Sequence, residues 1–382
     1  MRTEIQHELI HRFRVLAEGR TTQLADRPSR VPAGHYIGRD QLARERLTLL
    51  RRSPVVAALT ADVPEPGDFV TAEVDQVPIV VVRDELGAVN AFYNACRHRA
   101  APVAAGRGHT TGVLTCPYHA WSYRLDGRLH GQPLARGCFD VEGDALALRT
   151  LPVREVHGLI LVRLDGRQVP ADFLGGLADD LDSYGLSRHH HVETRDQVVA
   201  CNWKMVIDTF LEAYHIFSLH KSSIAPLYYS HPMLFDAYGP HLRLIGVRRS
   251  IDDLGEDRSE WDLLPHATIH YVVFPNTLVV HQLDHLEVWR VFPDGDDPGR
   301  SVVQTSIYAP RSPDEAARKR WGRNLDILLD VTGTEDFPLC ESAQRAMVVG
   351  AAEGVVLGRN EPALVHFHRE IERSVPGEVS PA

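Results

Sequence analysis

The sequence predicts an α+β protein in which an all-β domain precedes a larger domain with an antiparallel sheet. Short valine-rich runs interrupted by turn signals begin after Pro54 and continue to about residue 164, a pattern typical of compact antiparallel β structure. From Leu242 onward, strand-like stretches lead into a long helical pattern from Pro313 to about Leu329. Because these strands are grouped ahead of the helix instead of alternating with it, the second domain fits the α+β class.

Helical patterns flank these strands. Residues 1–50 hold two, so two short helices are expected there, and the second runs from Leu42 to Leu50. The polar stretch around the three adjacent histidines at 189–191 is typical of a solvated linker, and a helical period from Asn202 to His220 predicts a helix. The apolar residues that define the first N-terminal helix are Ile5, Leu9, Ile10, Phe13 and Leu16.

Composition and charge disfavour several classes of protein. The 382 residues carry 41 Lys and Arg against 51 Asp and Glu, a formal net charge of −10, whereas nucleic-acid binding needs a basic surface. No apolar run reaches the roughly 18 residues that span a bilayer, and the N-terminal MRTEIQHELIHRFR lacks the apolar core of a signal peptide. Five cysteines, an odd number in a long chain, indicate a reducing compartment. We therefore expect a cytoplasmic protein without a nucleic-acid or membrane partner.

The strongest chemical signal is a pair of cysteine-histidine motifs. One residue separates Cys96 from His98, two separate Cys116 from His119, and seventeen lie between the motifs. A thiolate and an imidazole this close on a tight turn can bind one metal together, so two such turns form a four-ligand site. This ligand set suits a single zinc ion. It also suits a [2Fe–2S] cluster with two cysteines on one iron and two histidines on the other.

The spacing favours the cluster, because zinc sites usually pair ligands two to four residues apart. The segments NACRHRAAPV and CPYHAWSYRLDGRL resemble the two cluster-binding loops of Rieske oxygenases, and the resemblance covers residues 54–151. It implies that the two cysteines and two histidines hold a Rieske [2Fe–2S] cluster. Tyr118, Trp121 and Tyr123 would then pack over the second loop and shield the cluster from water.

A second group of candidate ligands lies about a hundred residues further on. Glu212 and His215 are three residues apart and would share one face of a helix. His220 follows five residues later, near the predicted end of that helix. Two imidazoles on one ion, completed by a carboxylate from elsewhere in the chain, form the facial triad that leaves open positions on Fe(II) for O2.

The order NWK, EAYH and then His220 resembles the iron-binding segment of the Rieske non-haem iron oxygenases, the ring-hydroxylating oxygenase α-subunit family. The resemblance implies that His215 and His220 bind iron and that TEDFPLCESAQRAM supplies the third ligand, Asp336 in preference to Glu335. Glu212 stands where the family usually has an aspartate that joins an iron histidine to a Rieske histidine across a subunit boundary. Glutamate at this place occurs in the branch that oxidises quaternary amines such as carnitine and glycine betaine.

The resemblance also implies a domain organisation. A helical segment, residues 1–50, is expected to pack on the catalytic domain. Residues 51–155 would form the all-β Rieske [2Fe–2S] domain, and residues 156–382 an antiparallel-sheet helix-grip domain with the mononuclear iron. The family commonly forms homotrimers in which the cluster of one subunit serves the iron of the next. No GxGxxG motif follows a strand, so electrons from NAD(P)H are expected through a partner reductase or ferredoxin.

These expectations define an oxygenase component that uses O2 to hydroxylate an aromatic or aryl-acid substrate, as a monooxygenase or a dioxygenase. Oxidative cleavage or demethylation of a quaternary amine is the alternative, and Glu212 is its signal. A non-catalytic electron carrier is disfavoured because every residue of the triad is present. An aryl acid would need an arginine, for which Arg243 and Arg248 are candidates. A quaternary ammonium would need an aromatic cage, for which the candidates are Tyr228, Tyr229, Phe235 and Tyr238.

Overall fold

A computed structural model describes residues 1–134, 138–139, 143–310 and 314–375. Numbered along the chain, the α-helices of these residues are α1 (Thr3–Glu18), α2 (Gly34–Ile37), α3 (Arg39–Glu45), α4 (Leu177–Tyr184), α5 (Trp203–Asp208), α6 (Glu315–Val331), α7 (Phe337–Val348) and α8 (Pro362–Ser374). The first ten strands are β1 (Ser29–Pro32), β2 (Val55–Leu59), β3 (Asp68–Val74), β4 (Val77–Arg83), β5 (Val89–Tyr93), β6 (Arg107–His109), β7 (Val113–Thr115), β8 (Ser122–Arg124), β9 (Leu129–Gly131) and β10 (Thr150–Leu151). The remaining strands are β11 (Val153–Val156), β12 (Leu159–Val162), β13 (His190–Val199), β14 (Leu234–Tyr238), β15 (His241–Val247), β16 (Ala267–Val273), β17 (Thr277–Gln282), β18 (His285–Pro293), β19 (Ser301–Ala309) and β20 (Gly354–Leu357).

The chain divides into two compact units. The first holds residues 1–50, 174–184 and 191–382, and the second holds residues 51–173 and 185–190. The boundaries expected from the sequence, after residues 50 and 155, stay a prediction. The antiparallel hairpin of β11 and β12 lies across the second boundary, and residues 376–382 of the last predicted range are outside the described residues.

The second unit is built from three antiparallel sheets, as the valine-rich runs predict. Their strand orders are β10-β5-β4-β3-β6, β11-β12-β2 and β7-β8-β9. Apolar side chains such as Val80, Val82 and Phe92 are almost fully buried and form one core with Cys96 and Cys116. The two cysteines are therefore held against a packed interior, which limits the movement of their thiols.

The first unit is organised around a seven-stranded antiparallel sheet in the order β13-β19-β18-β17-β16-β15-β14. The strand-like stretches of the sequence form β15 to β19, as predicted. Trp203 of α5, Trp289 of β18 and Phe367 of α8 are at most 1% exposed in the shared core. Because burying one large apolar side chain contributes about 1.5–3 kcal/mol, such residues hold these helices on the sheet. α6 lies in the predicted long helix, whose expected start at Pro313 is outside the described residues.

The expected linker around the histidines at 189–191 is wrong. Residues His190–Val199 form β13, which pairs with β19 at one edge of the seven-stranded sheet. Most side chains of β13 are exposed or half-buried, because an edge strand has a neighbour on one side only. The polar composition that suggested a linker is the composition of an edge strand.

The helix expected from Asn202 to His220 is also shorter than predicted. Asn202 caps α5 by accepting a hydrogen bond from the Lys204 backbone, but the helix ends at Asp208 and is followed by consecutive turns. The Glu212 carboxylate accepts hydrogen bonds from the backbone N–H groups of Tyr214 and His215. A side chain that captures these N–H groups competes with helical hydrogen bonding, so Glu212 and His215 face each other across a turn.

Candidate metal centres

Two loops of the second unit, which contain the cysteine-histidine motifs, have the same backbone construction. In the first, the Ala100 N–H donates to the Cys96 carbonyl at 2.8 Å, and in the second the Ala120 N–H donates to the Cys116 carbonyl at 3.0 Å. Ala100 and Ala120 both adopt positive φ, 58° and 56°. Each loop is thus a tight turn that presents its cysteine and histidine on the same side of a short chain segment.

The loops bring the predicted cluster ligands together. The Cys96 and Cys116 side chains are buried, and the rings of His98 and His119 lie 4.6 Å apart. The Nδ1 atom of His98 is buried without a hydrogen-bond partner among the described residues. Desolvation first, and then the neighbouring His119 and Arg99, lower the pKa of His98, which favours the neutral form that binds a metal.

The aromatic residues around the second loop divide into two groups. Trp121 stacks on the His98 ring at 4.8 Å, and Tyr123 is fully buried with its hydroxyl 3.2 Å from the Cys96 Sγ. The same hydroxyl accepts a hydrogen bond from the Arg97 backbone at 2.9 Å. Tyr118, in contrast, is 59% exposed. Trp121 and Tyr123 are placed as expected for shielding. The Tyr118 ring packs 4.0 Å from the His119 ring of the second loop, as expected, but its exposure leaves it little part in excluding water.

The first unit contains the second predicted group of ligands. The Oδ1 atom of Asp336 lies 3.5 Å from the Nε2 atom of His215 and 3.3 Å from the Nε2 atom of His220. One ligand atom from each of these residues lies within 4.8 Å of the other two. A π-helical turn, Thr332–Asp336, separates α6 from α7 and ends at Asp336. Turns of this kind occur frequently at functional sites.

Each of the two histidines has a carboxylate on its other ring nitrogen. The Nδ1 atom of His215 makes a short contact with Glu212, and the Nδ1 atom of His220 lies 2.7 Å from the Oε2 atom of Glu335. Ser223 donates a further hydrogen bond to Glu335 at 2.9 Å. A carboxylate on Nδ1 fixes the tautomer that leaves Nε2 free for a metal. From the sequence, Glu335 is a candidate only as a rival ligand to Asp336, and its contact with His220 is not predicted, although its place next to Asp336 is a signal.

Hydrogen bonds tie the start of α5 to α7, and therefore hold the segments that carry the histidines and Asp336. The Glu341 carboxylate accepts from the Ala200 backbone at 3.0 Å, and the Gln344 amide oxygen accepts from the Asn202 backbone at 3.1 Å. Deeper in the core, the Lys204 ammonium donates to Glu45 at 2.6 Å. These contacts give the metal-binding segment a rigid base.

A cavity of about 430 Å³ adjoins the three candidate iron ligands, which are among the residues that line it. Its sheet side is formed by alternate residues of β16, β17 and β18, which face the same way. Most of these residues are polar. Its helix side is mostly apolar and comes from α6, with Ile327, Leu328 and Val331 beside the polar Asn324. The polar and charged residues of the sheet side and its margin include Tyr228, Arg248, Thr268, Gln282, His285 and Glu287.

The structure separates the candidate substrate-binding residues of the sequence analysis. Arg248 and Tyr228 line the cavity, whereas Arg243, Tyr229, Phe235 and Tyr238 do not. Arg243 is instead saturated by two carboxylates, at 2.5 Å from Asp180 and 2.7 Å from Asp236. The expectation that these four aromatic residues form one cage around the substrate is therefore wrong. Phe210, which the sequence analysis did not select, lines the cavity and packs 4.8 Å from Trp289.

Comparisons with protein families match both units of this architecture. The family model described as Rieske [2Fe-2S] domain matches residues 53–152. The model described as ring hydroxylating alpha subunit (catalytic domain) matches residues 183–377, just over half of the chain. The chain belongs to this family.

Two curated relatives that resemble the chain have amine substrates in their names. Choline monooxygenase of Beta vulgaris is 28% identical over 321 residues, which cover 82% of this chain and 70% of the relative. The glycine betaine monooxygenase oxygenase subunit of Chromohalobacter salexigens is 27% identical over 360 residues, which cover 83% and 79% of the two chains.

Solved structures of similar fold include members with different kinds of substrate. A quaternary ammonium Rieske monooxygenase in complex with L-carnitine superposes with a TM-score of 0.75 at 20% identity, covering 91% of this chain and 95% of that one. Naphthalene 1,2-dioxygenase from Rhodococcus sp., bound to indole, superposes with a TM-score of 0.74 at 22% identity, covering 92% and 95%. These likenesses show the shared fold of the ring-hydroxylating family.

The donor atoms fit the two cofactors of the ring-hydroxylating family. Two buried thiols and two imidazoles match a Rieske [2Fe–2S] cluster, and two imidazole Nε2 atoms beside one carboxylate match a mononuclear Fe(II). As a member of this family, the chain is the oxygenase subunit of a multi-component system and receives its electrons from a partner reductase. Among the described residues, no helix combines the length and hydrophobicity needed to cross a membrane.

Proposed function

We propose that this oxygenase subunit hydroxylates a carbon bonded to the nitrogen of a quaternary amine, as a monooxygenase, and so cleaves a C–N bond. The observation that carries the proposal is a buried carboxylate, Glu287, in the cavity that adjoins His215, His220 and Asp336. The names of the curated relatives, a choline and a glycine betaine monooxygenase, support the same substrate class.

Glu287 suits a cation better than a hydrocarbon. It is 4% exposed, accepts one hydrogen bond from the Trp289 indole at 3.1 Å, and has His285 at 3.7 Å. A quaternary ammonium has no N–H group, so it is held by charge and by aromatic faces, one of which Phe210 supplies in the same cavity. A neutral aromatic substrate would remove water from Glu287 and leave His285 as its nearest possible counter-charge, a desolvation cost that a cationic substrate would offset. Aromatic hydroxylation, preferred from the sequence, therefore has less support.

The reaction balances as a monooxygenation. O2, two electrons and two protons convert one N–CH3 group to N–CH2OH and release one water. The N–CH2OH group then loses its hydroxyl proton to solvent and releases formaldehyde as the C–N bond breaks, and the bonding electron pair stays on the nitrogen of the tertiary amine. Hydroxylation of another carbon on the nitrogen would instead release an amine and an aldehyde. When iron is bound, it supplies O2 activation at its open positions.

The chain's own residues prepare this site. We propose that His215, His220 and Asp336 hold the iron, while Glu212 and Glu335 fix the two imidazole rings through their Nδ1 atoms. Apolar side chains of α6 on the cavity wall, Leu328 and Val331, reduce the space for water beside the reacting carbon.

We propose that Cys96, His98, Cys116 and His119 hold the Rieske cluster and that Glu212 links it to the iron site of a neighbouring subunit in a homotrimer. The exposed position of His119 supports this arrangement. Tyr214 and Phe217, close to Glu212 in sequence, are 66% and 71% exposed. Exposed aromatic side chains beside a proposed electron-transfer residue suit a subunit interface.

A single-turnover experiment tests the proposed reaction. The chemically reduced holoenzyme receives ¹⁸O2 and a panel of quaternary amines, aryl acids and plain aromatics, and the products are analysed by mass spectrometry. We expect a demethylated amine with formaldehyde, or an amine with an aldehyde. Label in a hydroxylated ring, with no amine product, would contradict the proposal.

A further inference from the structure

Arg248 is a charged residue of the cavity for which the described residues supply no charged partner. Its Nη2 group donates to the Gln282 amide oxygen at 2.7 Å, and its guanidinium lies 4.8 Å over the Tyr228 ring. Its Nε atom is buried, and no described residue forms a hydrogen bond with it. Among the described residues, no carboxylate lies within ion-pair distance of Arg248. The contrast with Arg243, which has two carboxylates at contact distance, is direct.

A network of side chains holds the Arg248 guanidinium in place. Gln282 accepts from Arg248 and also from the Thr268 hydroxyl, at 2.8 Å. Thr268 in turn lies 2.5 Å from the Tyr228 hydroxyl, and Tyr228 forms the aromatic face beneath Arg248. A group that is already fixed loses little conformational entropy when a ligand binds, so this arrangement is preorganised for recognition.

Opposite charges occupy neighbouring strands of the same cavity wall. The Arg248 guanidinium reaches Gln282 on β17, and Glu287 lies on β18, the next strand of the sheet. Adjacent strands lie about 4.8 Å apart. A molecule with a cationic and an anionic end can thus meet Glu287 with one end and Arg248 with the other.

We propose that Arg248 binds the carboxylate of the substrate, so that the cavity selects zwitterionic trimethylammonium carboxylates over ammonium alcohols and esters. This inference rests on the proposed function, which assigns the cationic end of the substrate to Glu287. The planar guanidinium matches a carboxylate with two parallel hydrogen bonds. Arg248 is thereby the specificity-determining residue for the anionic end.

The test compares substrates that differ only in the carboxylate. The probes are glycine betaine, 4-(trimethylammonio)butanoate and the methyl ester of each, given to the holoenzyme with formaldehyde release as the readout. We expect the better acid to exceed its ester about 100-fold in kcat/KM, because a charged hydrogen-bonded pair is lost in the ester. Arg248→Met should bring that ratio close to one, chiefly through a higher KM for the acid, and Arg248→Lys should keep part of it.

Arg249→Met is the matched control. Arg249 is the adjacent arginine, is exposed and lies over the Tyr229 ring outside the cavity, so its substitution should leave the acid-to-ester ratio unchanged. Iron and cluster content and the Kd of each probe by calorimetry are measured for every variant. The Kd values report recognition separately from turnover.

The outcomes separate the two proposals. Turnover of the amines with an acid-to-ester ratio that Arg248→Met does not change would overturn the carboxylate anchor and leave the proposed function intact. Equal turnover of acid and ester by the unchanged protein would also overturn the carboxylate anchor and leave the proposed function intact. Binding of the acids that depends on Arg248, without any amine product, would contradict the proposed function and support the anchor.

Discussion

The Nδ1 atom of His220 lies 2.7 Å from the Oε2 atom of Glu335, the residue that precedes Asp336 in the chain. One short segment at the end of a π-helical turn therefore supplies both a proposed iron ligand and the group that orients another ligand. His215 has an equivalent partner in Glu212. The proposed iron site is thus symmetric in chemistry: each imidazole has one carboxylate on Nδ1 and meets Asp336 through Nε2.

Glu335→Ala should weaken iron binding by about 10–100-fold, because loss of the carboxylate frees the His220 ring to rotate. Glu335→Gln, which can still accept a hydrogen bond from Nδ1, should show a smaller loss. Iron affinity is measured by titration of the apoprotein, with Asp330→Asn as the control because Asp330 is exposed on α6. Unaltered iron affinity in Glu335→Ala would contradict an orienting role.

His215→Ala should abolish turnover and leave the visible spectrum of the Rieske cluster intact, because the two proposed metal centres use separate ligand sets. Absorbance and iron content report the two centres independently, and one sample serves both measurements. Loss of the cluster spectrum together with turnover would show that the assignment of ligands to two separate centres is wrong.

Glu212→Gln should retain both metals and slow electron transfer from cluster to iron by about 10-fold or more, because a neutral amide orients the histidine less strongly than a carboxylate. Stopped-flow absorbance follows cluster oxidation when the reduced protein meets O2. Glu212→Asp keeps the charge with one methylene fewer, and its electron-transfer rate should lie between those of Glu212→Gln and the unchanged protein. An unchanged rate in Glu212→Gln would remove its bridging role.

Tyr123→Phe should lower the reduction potential of the Rieske cluster. Burial, with a further contribution from Cys96, raises the pKa of Tyr123, so the hydroxyl keeps its proton and donates to the sulfur 3.2 Å away. Hydrogen bonds to the sulfurs help to set cluster potentials. Voltammetry measures the shift, and Tyr118→Phe, at an exposed position on the second loop, should leave the potential unchanged.

Lys204→Met should reduce the free energy of unfolding by about 3–5 kcal/mol, because it leaves a buried carboxylate without its charge partner. The ammonium of Lys204 and the carboxylate of Glu45 are fully buried and lie 2.6 Å apart. Adding Glu45→Gln should recover part of the loss. Urea unfolding measures the change, and Lys319→Met, at an exposed lysine, should stay within about 0.5 kcal/mol of the unchanged protein.

The strands and the ligand motifs were predictable because their signals are local. Alternation and β-branched composition indicate β15 to β19. Each of the two cysteine-histidine motifs indicates a metal site within only a few residues. The end of α5 was not predictable from periodicity. Beyond that end, the Glu212 side chain accepts hydrogen bonds from the backbone N–H groups of Tyr214 and His215, which a continued helix would bond to its own carbonyls.

The substrate cavity required the three-dimensional structure. In the sequence, Arg243 and Arg248 are equally good candidates for binding a substrate carboxylate. The structure shows that Asp180 and Asp236 already neutralise Arg243. Glu287 could not be predicted as a site residue, because a single glutamate in a strand is common. Its significance comes from burial in a cavity shared with residues that are distant in the chain, such as His215 and Asp336.

The order of strands in the large sheet sets the time at which the iron site can exist during synthesis. β13 and β14 follow each other in the chain but form opposite edges of the sheet, so the segment between them, with His215 and His220, spans its width. β13 gains its neighbour only when β19 has been made, and Asp336 follows later still. Such non-local pairing is slow. We therefore expect both histidines to emerge from the ribosome long before the sheet and Asp336 are in place to hold an ion with them. Iron incorporation should therefore be a post-translational event.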